Sequence, residues 1–450
     1  MTLPADDAVP EDAPAPPPVV RSGRLHPLSP VVRASRVIVS LAAVAVYNDR
    51  GVRSIGRWLV PVVLGIVVAS IVAGYLSWAF TRYYIADGDV RVESGVFVRQ
   101  SRRVRIDRLQ AIDVVQPLFG RILGLAELKL DMAGGEHGRV ELAYLPLRDA
   151  VAMRASLLAM AAGLDHRTPE APERPLVSCS GKAIVGSALL ATPTLLAVVW
   201  AAMFVTVGIV TGLPSLATVS LPAVVAIGAG AWRTIQRHFG FVVAESPDGL
   251  RLRHGLFETR AQTVPPGRVQ AVRIVQPLVW RAFGWVRLDA NIAGYAGRRA
   301  DEGEQHNSVL LPVGSRDEAR LVLQRVGVDV DAVRLHAVPR RAWLREPLRW
   351  WTLRAGSDGQ LFVARSGWLT RSLVAMRHEK VQSVRLSVGP VERALRLARL
   401  ELHSTHGPVR VVAAARDAIE ARSMLDVEAV RAEYGRASAV PERWMRPSGK

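Results

Sequence analysis

The chain has one cysteine, Cys179, in 450 residues, which excludes an intramolecular disulfide framework and any metal centre built from several thiolates. Lysine is nearly missing too: Lys129, Lys182, Lys380 and Lys450 are the only ones, so the 58 basic residues are overwhelmingly arginine. Set against 40 acidic residues they leave a formal charge of +18, an excess that favours phosphate-bearing partners, either nucleic acid or an anionic membrane surface. The histidines form no HExxH pair, and Glu136-His137, like His403 with His406, lacks the further ligands of a zinc site. No GxSxG elbow is present, and the glycines at 134–138 are not followed by the Gly-Lys-Ser/Thr of a phosphate loop. Gly228 and Gly230 make no dinucleotide fingerprint, because Arg233 holds the third glycine's place. These absences predict a protein that is not an enzyme and uses no cofactor and no metal.

What is present is long apolar stretches. Residues 183–232 contain no Asp, Glu, Lys, Arg or His and are interrupted at Gly212-Leu213-Pro214-Ser215. Each half can cross a hydrocarbon core of about 30 Å, so residues 181–232 are expected to form a transmembrane hairpin; the alternative is a buried hairpin of a soluble protein. Residues 58–80, between Arg57 and Arg82, form a second membrane segment, with Trp58, Tyr75, Trp78, Tyr83 and Tyr84 towards its ends. Residues 37–47 form a short span or an interfacial helix, so 25–81 hold one short and one full segment and the crossings number three or four. Residues 1–24 open with Pro, Ala and acidic residues and are expected to be a disordered tail without the basic start of a signal peptide; 436–450 form a second tail. The loop at 211–216 is uncharged, whereas Arg99, Arg102, Arg103, Arg105 and Arg108 follow one segment and Arg233 and Arg237 another, which places the large polar regions in the cytoplasm.

Those polar regions repeat. Glu93-Ser94-Gly95-Val96-Phe97 is matched by Arg253-His254-Gly255-Leu256-Phe257 and Arg365-Ser366-Gly367-Trp368-Leu369. Fifteen residues after each glycine stands a glutamine behind a basic-X pair: Arg108 with Gln110, Arg268 with Gln270, Lys380 with Gln382. The frame continues through Ile112, Val114, Arg121 and Leu128, through Val272, Ile274, Arg281 and Leu288, and through Val384, Leu386, Arg393 and Leu400. Alternating apolar positions predict strands with one buried face, and the glycines predict hairpin turns. Each copy ends in Arg148-Asp149, Arg316-Asp317 or Arg416-Asp417 ahead of a helical run, where the acid suits an N-cap or first turn. The recurring glycine, basic residue and glutamine are read as structural rather than as a ligand site, since repeats share structural needs first.

These blocks, with Leu25-His26-Pro27-Leu28-Ser29-Pro30 and the paired membrane segments, resemble the bacterial pleckstrin-homology membrane proteins (YdbS/YdbT-like) from about Leu25 to Leu425. The third copy departs from them, with Gly389-Pro390 where Pro117-Leu118 and Pro277-Leu278 stand earlier. The resemblance implies α-helical transmembrane segments plus three α+β PH-like β-sandwiches, each capped by a C-terminal helix, over 82–165, 233–328 and 340–435. It also implies a cell-envelope or stress role.

Residues 233–450 carry 36 basic against 22 acidic residues. There Arg340, Arg341, Arg345 and Arg349 interleave with Trp343, Trp350 and Trp351, a pattern that suits a membrane interface, where rings sit at headgroup depth and guanidinium groups meet lipid phosphate. The alternative is that these rings belong to the third copy's core. The expected function is a scaffold binding anionic lipid headgroups and a partner membrane protein, such as a sister PH-domain protein, with no nucleic acid. A transport or channel component is the alternative. Its path could draw only on hydroxyls such as Ser187, Thr192, Thr194, Thr206 and Thr211.

Overall fold

The computed structural model describes residues 19–24, 26–30, most of 64–86, 89–94, 100–105, 109–132, 139–161, 173–213, 215–246, 249–293 and 308–438. They fall into two compact units, residues 1–108 and 109–450.

In the first unit β1 (Val19–Arg24), β2 (Arg82–Ala86), β3 (Asp89–Ser94) and β4 (Gln100–Arg105) form an antiparallel sheet in chain order. The tail expected to run to residue 24 is therefore extended from Val19 onward: the Pro/Ala composition that forbids a core ends at Pro18, and the strand after it has a ladder partner in β2. Residues 64–66, 68–69 and 71–76 are helical, with Leu64, Val68, Val72 and Leu76 exposed. The apolar stretch 37–47 and the start of 58–80 lie outside the described residues.

In the second unit the copies share sheets. One seven-stranded sheet joins the end of the first copy, β5 (Leu109–Gln116), β6 (Leu125–Met132) and β7 (Arg139–Pro146), to the start of the second. The second copy's strands there are β8 (Arg174–Ser178), β9 (Val242–Ser246), β10 (Gly249–His254) and β11 (Thr259–Val264), with β5 against β11. The next sheet repeats the plan: β12 (Val269–Pro277), β13 (Val286–Ile292) and β14 (Val309–Gly314) of the second copy continue into the third, with β12 against β18. The third copy's strands are β15 (His336–Ala337), β16 (Arg354–Ser357), β17 (Leu361–Ser366) and β18 (Thr370–Arg377). A last sheet holds β19 (Ser383–Ser387), β20 (Leu397–His403) and β21 (Val411–Asp417).

The repeated positions explain themselves in this frame. Val114 faces Leu128, Ile274 faces Leu288 and Leu386 faces Leu400 across the same strand pair in each copy, and all three leucines are fully buried. Short helices α1 (Leu118–Ile122) and α7 (Pro390–Ala394) hold equivalent turns, so Gly389-Pro390 keeps the geometry with proline at the helix start. The longer helices follow the last strand of each copy: α2 (Leu147–Ala161), α6 (Arg316–Arg325) and α8 (Ala418–Ala437). Asp149 and Asp317 sit in first turns, and Asp417 caps α8 by accepting from the amides of Ile419 and Glu420.

Helix α3 (Gly181–Leu189) opens the apolar run, but Ile184 is buried in the second copy's core with Val243, Leu288 and Leu311. Pro193 and the break at residues 190–191 separate it from α4 (Thr192–Thr211), whose end is a left-handed Gly212. Residues 181–189, expected to be part of a membrane hairpin, belong to a protein core instead, and the exposed apolar helix begins at Thr192. Helix α4 has a mean hydropathy of 2.2, yet only 11% of its most apolar window is buried. Among the described residues it is the one helix long and apolar enough to cross a membrane. A core helix would be covered, so the buried-hairpin alternative does not describe α4. Helix α5 (Ser215–His238) returns alongside it and carries Arg233 and Arg237 up to β9.

Candidate functional site

The tryptophan–arginine segment folds as two 3-10 turns, Arg340–Leu344 and Trp350–Thr352, ahead of β16. Its side chains divide. Trp350 packs beside the buried cluster of Val338, Ala342, Leu353, Leu397 and Ala415, so that ring serves the third copy's core, against the interfacial expectation. Trp343 (52% exposed) and Trp351 (47%) face outward with Leu344 and Leu348, an apolar group that burial in protein does not account for.

The arginines divide as well. Arg349 donates to both carboxylate oxygens of Glu346, at 2.6 and 3.0 Å. That contact holds the Glu346 carboxyl below the usual carboxylate range, with Arg345 and Arg399 adding to it, and raises the Arg349 guanidinium. Arg341 donates to the Leu395 and Arg396 carbonyls and pairs with Asp417, while Arg345 stands 3.9 Å from Glu392. Three of the four arginines are therefore tied to the fold, and Arg340 is the exposed one without a carboxylate among the described residues.

Of the recurring signature, Gly255 and Gly367 have φ of 116° and 94°, and a Cβ on either would collide with the carbonyl oxygen of Glu258 or Thr370. Gln270 donates to the Arg268 carbonyl, which also accepts from the Ala293 amide, and the Gln382 amide donates to His403. Lys380 pairs with Glu379. Gln110 lies on β5; Gly95 and Arg108 lie outside the described residues. These contacts all close turns and strand ends.

A second basic site was not foreseen. Where the second and third copies meet, a cavity of about 440 Å³ is lined by Arg316, Arg365 and Arg371 with Ile274, Leu323 and Leu373. Arg316 donates to Gln276, and Arg320 at the rim is held by Asp317 and Asp331, but Arg365 and Arg371 have no carboxylate partner among the described residues. Nearby Arg281 donates to the Trp368 and Leu369 carbonyls. Burial, with Arg371 and Arg365, lowers the Arg281 guanidinium; burial, with Arg371, Arg354 and Arg316, lowers Arg365. Arg281 and Arg316 belong to the repeated frame, which was the available signal. Arg371 belongs to no repeated motif, and apart from Arg365 the arginines near it, Arg281 and Arg316, lie far away in sequence.

The described residues hold no group of three or more His, Cys, Asp or Glu that could bind a metal. Cys179 donates its thiol to the Val313 carbonyl at 3.1 Å, and burial pushes it up to about 12.

The UPF0699 transmembrane protein YdbT of Bacillus subtilis (strain 168) is 24% identical over 328 residues, 64% of this chain and 66% of that protein. The match thus spans a little under two thirds of the relative's length. The family described as Bacterial PH domain matches residues 36–161, 185–327 and 323–438, one match for each repeated copy. Matched over most of its length, three times in succession, the chain belongs to the bacterial PH domain family.

Proposed function

We propose that this chain is a non-enzymatic, multi-pass membrane protein that displays its three PH-like copies at the cytoplasmic face. There it works as a scaffold docked on anionic lipid headgroups and on a partner membrane protein, within the cell envelope or its stress response. The observation that carries the reading is the exposed group Trp343, Leu344, Leu348 and Trp351 set among Arg340, Arg341, Arg345 and Arg349. Indole rings at headgroup depth give the hold, and the surrounding positive field selects anionic lipid. An apolar, exposed α4 and a relative named as a transmembrane protein support the membrane setting. The hydroxyls favour a scaffold over a solute path: Thr206 and Thr211 donate to carbonyls one turn back in α4, Thr194 at its start donates to the Ala188 carbonyl of α3, and Ser187 donates within α3.

The third copy does not stand alone, because β15 precedes it and β18 pairs with β12 of the second copy, so the test uses the full chain. With Cys179→Ser, a nitroxide is placed at Trp343→Cys, Trp351→Cys or Arg422→Cys, and the protein is reconstituted into neutral or anionic vesicles. Labels at 343 and 351 should become more accessible to oxygen than to an aqueous nickel complex in anionic vesicles, less so at high salt, with no such change at 422. Equal accessibility at all three positions, whatever the lipid, would sink the docking reading.

A further inference from the structure

Both junctions between neighbouring copies are built alike. At the first, Thr259 faces Gln116, Arg260 faces Val115 and Ala261 faces Val114. At the second, Arg371 faces Gln276, Ser372 faces Val275 and Leu373 faces Ile274. Counted from Gly255 and Gly367 on one strand, and from Gln110 and Gln270 on the other, these are the same positions, so the register is identical. An arginine braces each junction at an equivalent place: Arg121 donates to the Leu256 carbonyl at 3.5 Å, and Arg281 donates to the Trp368 carbonyl.

The chain also holds both halves of a third such junction. β4 is the first copy's counterpart of β11 and β18, and β19 is the third copy's counterpart of β5 and β12; among the described residues each is the terminal strand of its sheet. A terminal strand presents a row of amide and carbonyl groups ready to pair. β19 contains no proline to block that row. Arg393, third in the series after Arg121 and Arg281, is exposed, and its guanidinium has no acceptor among the described residues. A strand of one type, a strand of the other and a spare brace are what a second copy of this same chain needs.

We propose that β19 of one molecule receives β4 of a second copy, head to tail, in the register of the two internal junctions. Ser387 then faces Gln100, Leu386 faces Ser101, Arg385 faces Arg102, Val384 faces Arg103 and Ser383 faces Val104. Unlike edges make a heterologous contact, which closes into a ring or runs on as a row. The inference goes beyond lipid docking and does not depend on it. It carries its own signature, because the register sets two like charges, Arg102 and Arg385, directly opposite each other.

The test uses full-length protein in detergent with Cys179→Ser. One chain carries Arg102→Cys and one tag, the other Arg385→Cys and a second tag, and the mixture is oxidised. Facing residues of an antiparallel ladder lie about 4.5–5.5 Å apart at Cα, within disulfide reach, whereas residues two positions along do not. A two-tag crosslinked dimer should form, and should fall away when the second cysteine sits at Ser383 or Ser387 instead. No two-tag dimer above those controls, or a dominant Arg102→Cys homodimer, overturns the proposal. Without cysteines, Arg102→Glu should tighten self-association about fivefold in sedimentation, and Arg393→Ala should weaken it about fivefold. A dissociation constant that neither change moves overturns it as well.

Discussion

Two groups of arginines in the C-terminal half of the chain meet opposite fates. Around the outward tryptophans, Arg341, Arg345 and Arg349 lie against Asp417, Glu392 and Glu346. At the junction of the second and third copies, Arg365 and Arg371 line a cavity with Arg316 and have no carboxylate partner among the described residues, although Asp329 and Asp331, the latter paired with Arg320, line the same cavity. Charge that crowds together in sequence is thus largely neutralised in space, while charge scattered from residue 281 to 371 is left unneutralised. The first group shapes the surface and leaves Arg340 as its one charge without a carboxylate among the described residues. The second leaves like charges close together, and an anion bound there is expected to relieve their repulsion.

The largest effect should come from dismantling the neutralised group at its firmest point. Asp417 accepts the amides of Ile419 and Glu420, at 2.9 and 3.4 Å, and also holds Arg341. Asp417→Ala should cost about 1–2 kcal/mol, nearly all of it from the lost cap of α8, because the partly exposed arginine contact adds little. The measurement is the shift in unfolding free energy of the detergent-solubilised chain; an unchanged value would mean the cap is not what holds α8.

A smaller effect should follow from Glu346→Gln, which releases Arg345 and Arg349. Its stability cost should stay below about 1 kcal/mol, since both arginines are partly exposed, while retention on anionic vesicles should survive higher salt than in the parent. The sign of its pH dependence is set by the lowered carboxyl of the folded state. The contact stabilises above the ordinary carboxylate pKa, and that stabilisation is lost as pH falls through the lowered value. Parent and variant should therefore converge in acid; a gap that persists there would assign the effect to something other than ionisation.

Much of the fold was legible because its signals are local. Val114 with Leu128, Ile274 with Leu288 and Leu386 with Leu400 recur at fixed spacing because each copy pairs the same two strands. Gly255 and Gly367 recur because a Cβ would strike a carbonyl oxygen. The sharing of sheets between copies was not legible, since an antiparallel ladder is made by backbone groups that every residue carries, so β5 gives no side-chain hint that its second neighbour is β11. Composition also could not separate α3 from the hairpin: an apolar run satisfies a protein core and a lipid core equally well, and Ile184 lies in the former. At the candidate site, Trp350 and Trp351 are adjacent and chemically identical, yet only contacts made from residue 338 to 415 decide which is covered.

The finest test concerns the un-neutralised group. Arg371 is exposed, and its charge acts on both Arg281 and Arg365. Arginine keeps its proton at any working pH, so deprotonation cannot relieve this repulsion and only a counter-ion or the loss of a charge can. Arg371→Gln should therefore stabilise the fold slightly, by a few tenths of a kcal/mol, because water screens an exposed charge. Inorganic phosphate, compared with chloride at equal ionic strength, should raise the unfolding temperature of the parent and raise that of the variant less, since an anion bound only by the folded state stabilises it by mass action. Should Arg371→Gln destabilise the protein, and phosphate shift parent and variant alike, the arginines at the junction would differ from those around Trp343 in position only, and the cavity would lose its standing as an anion site.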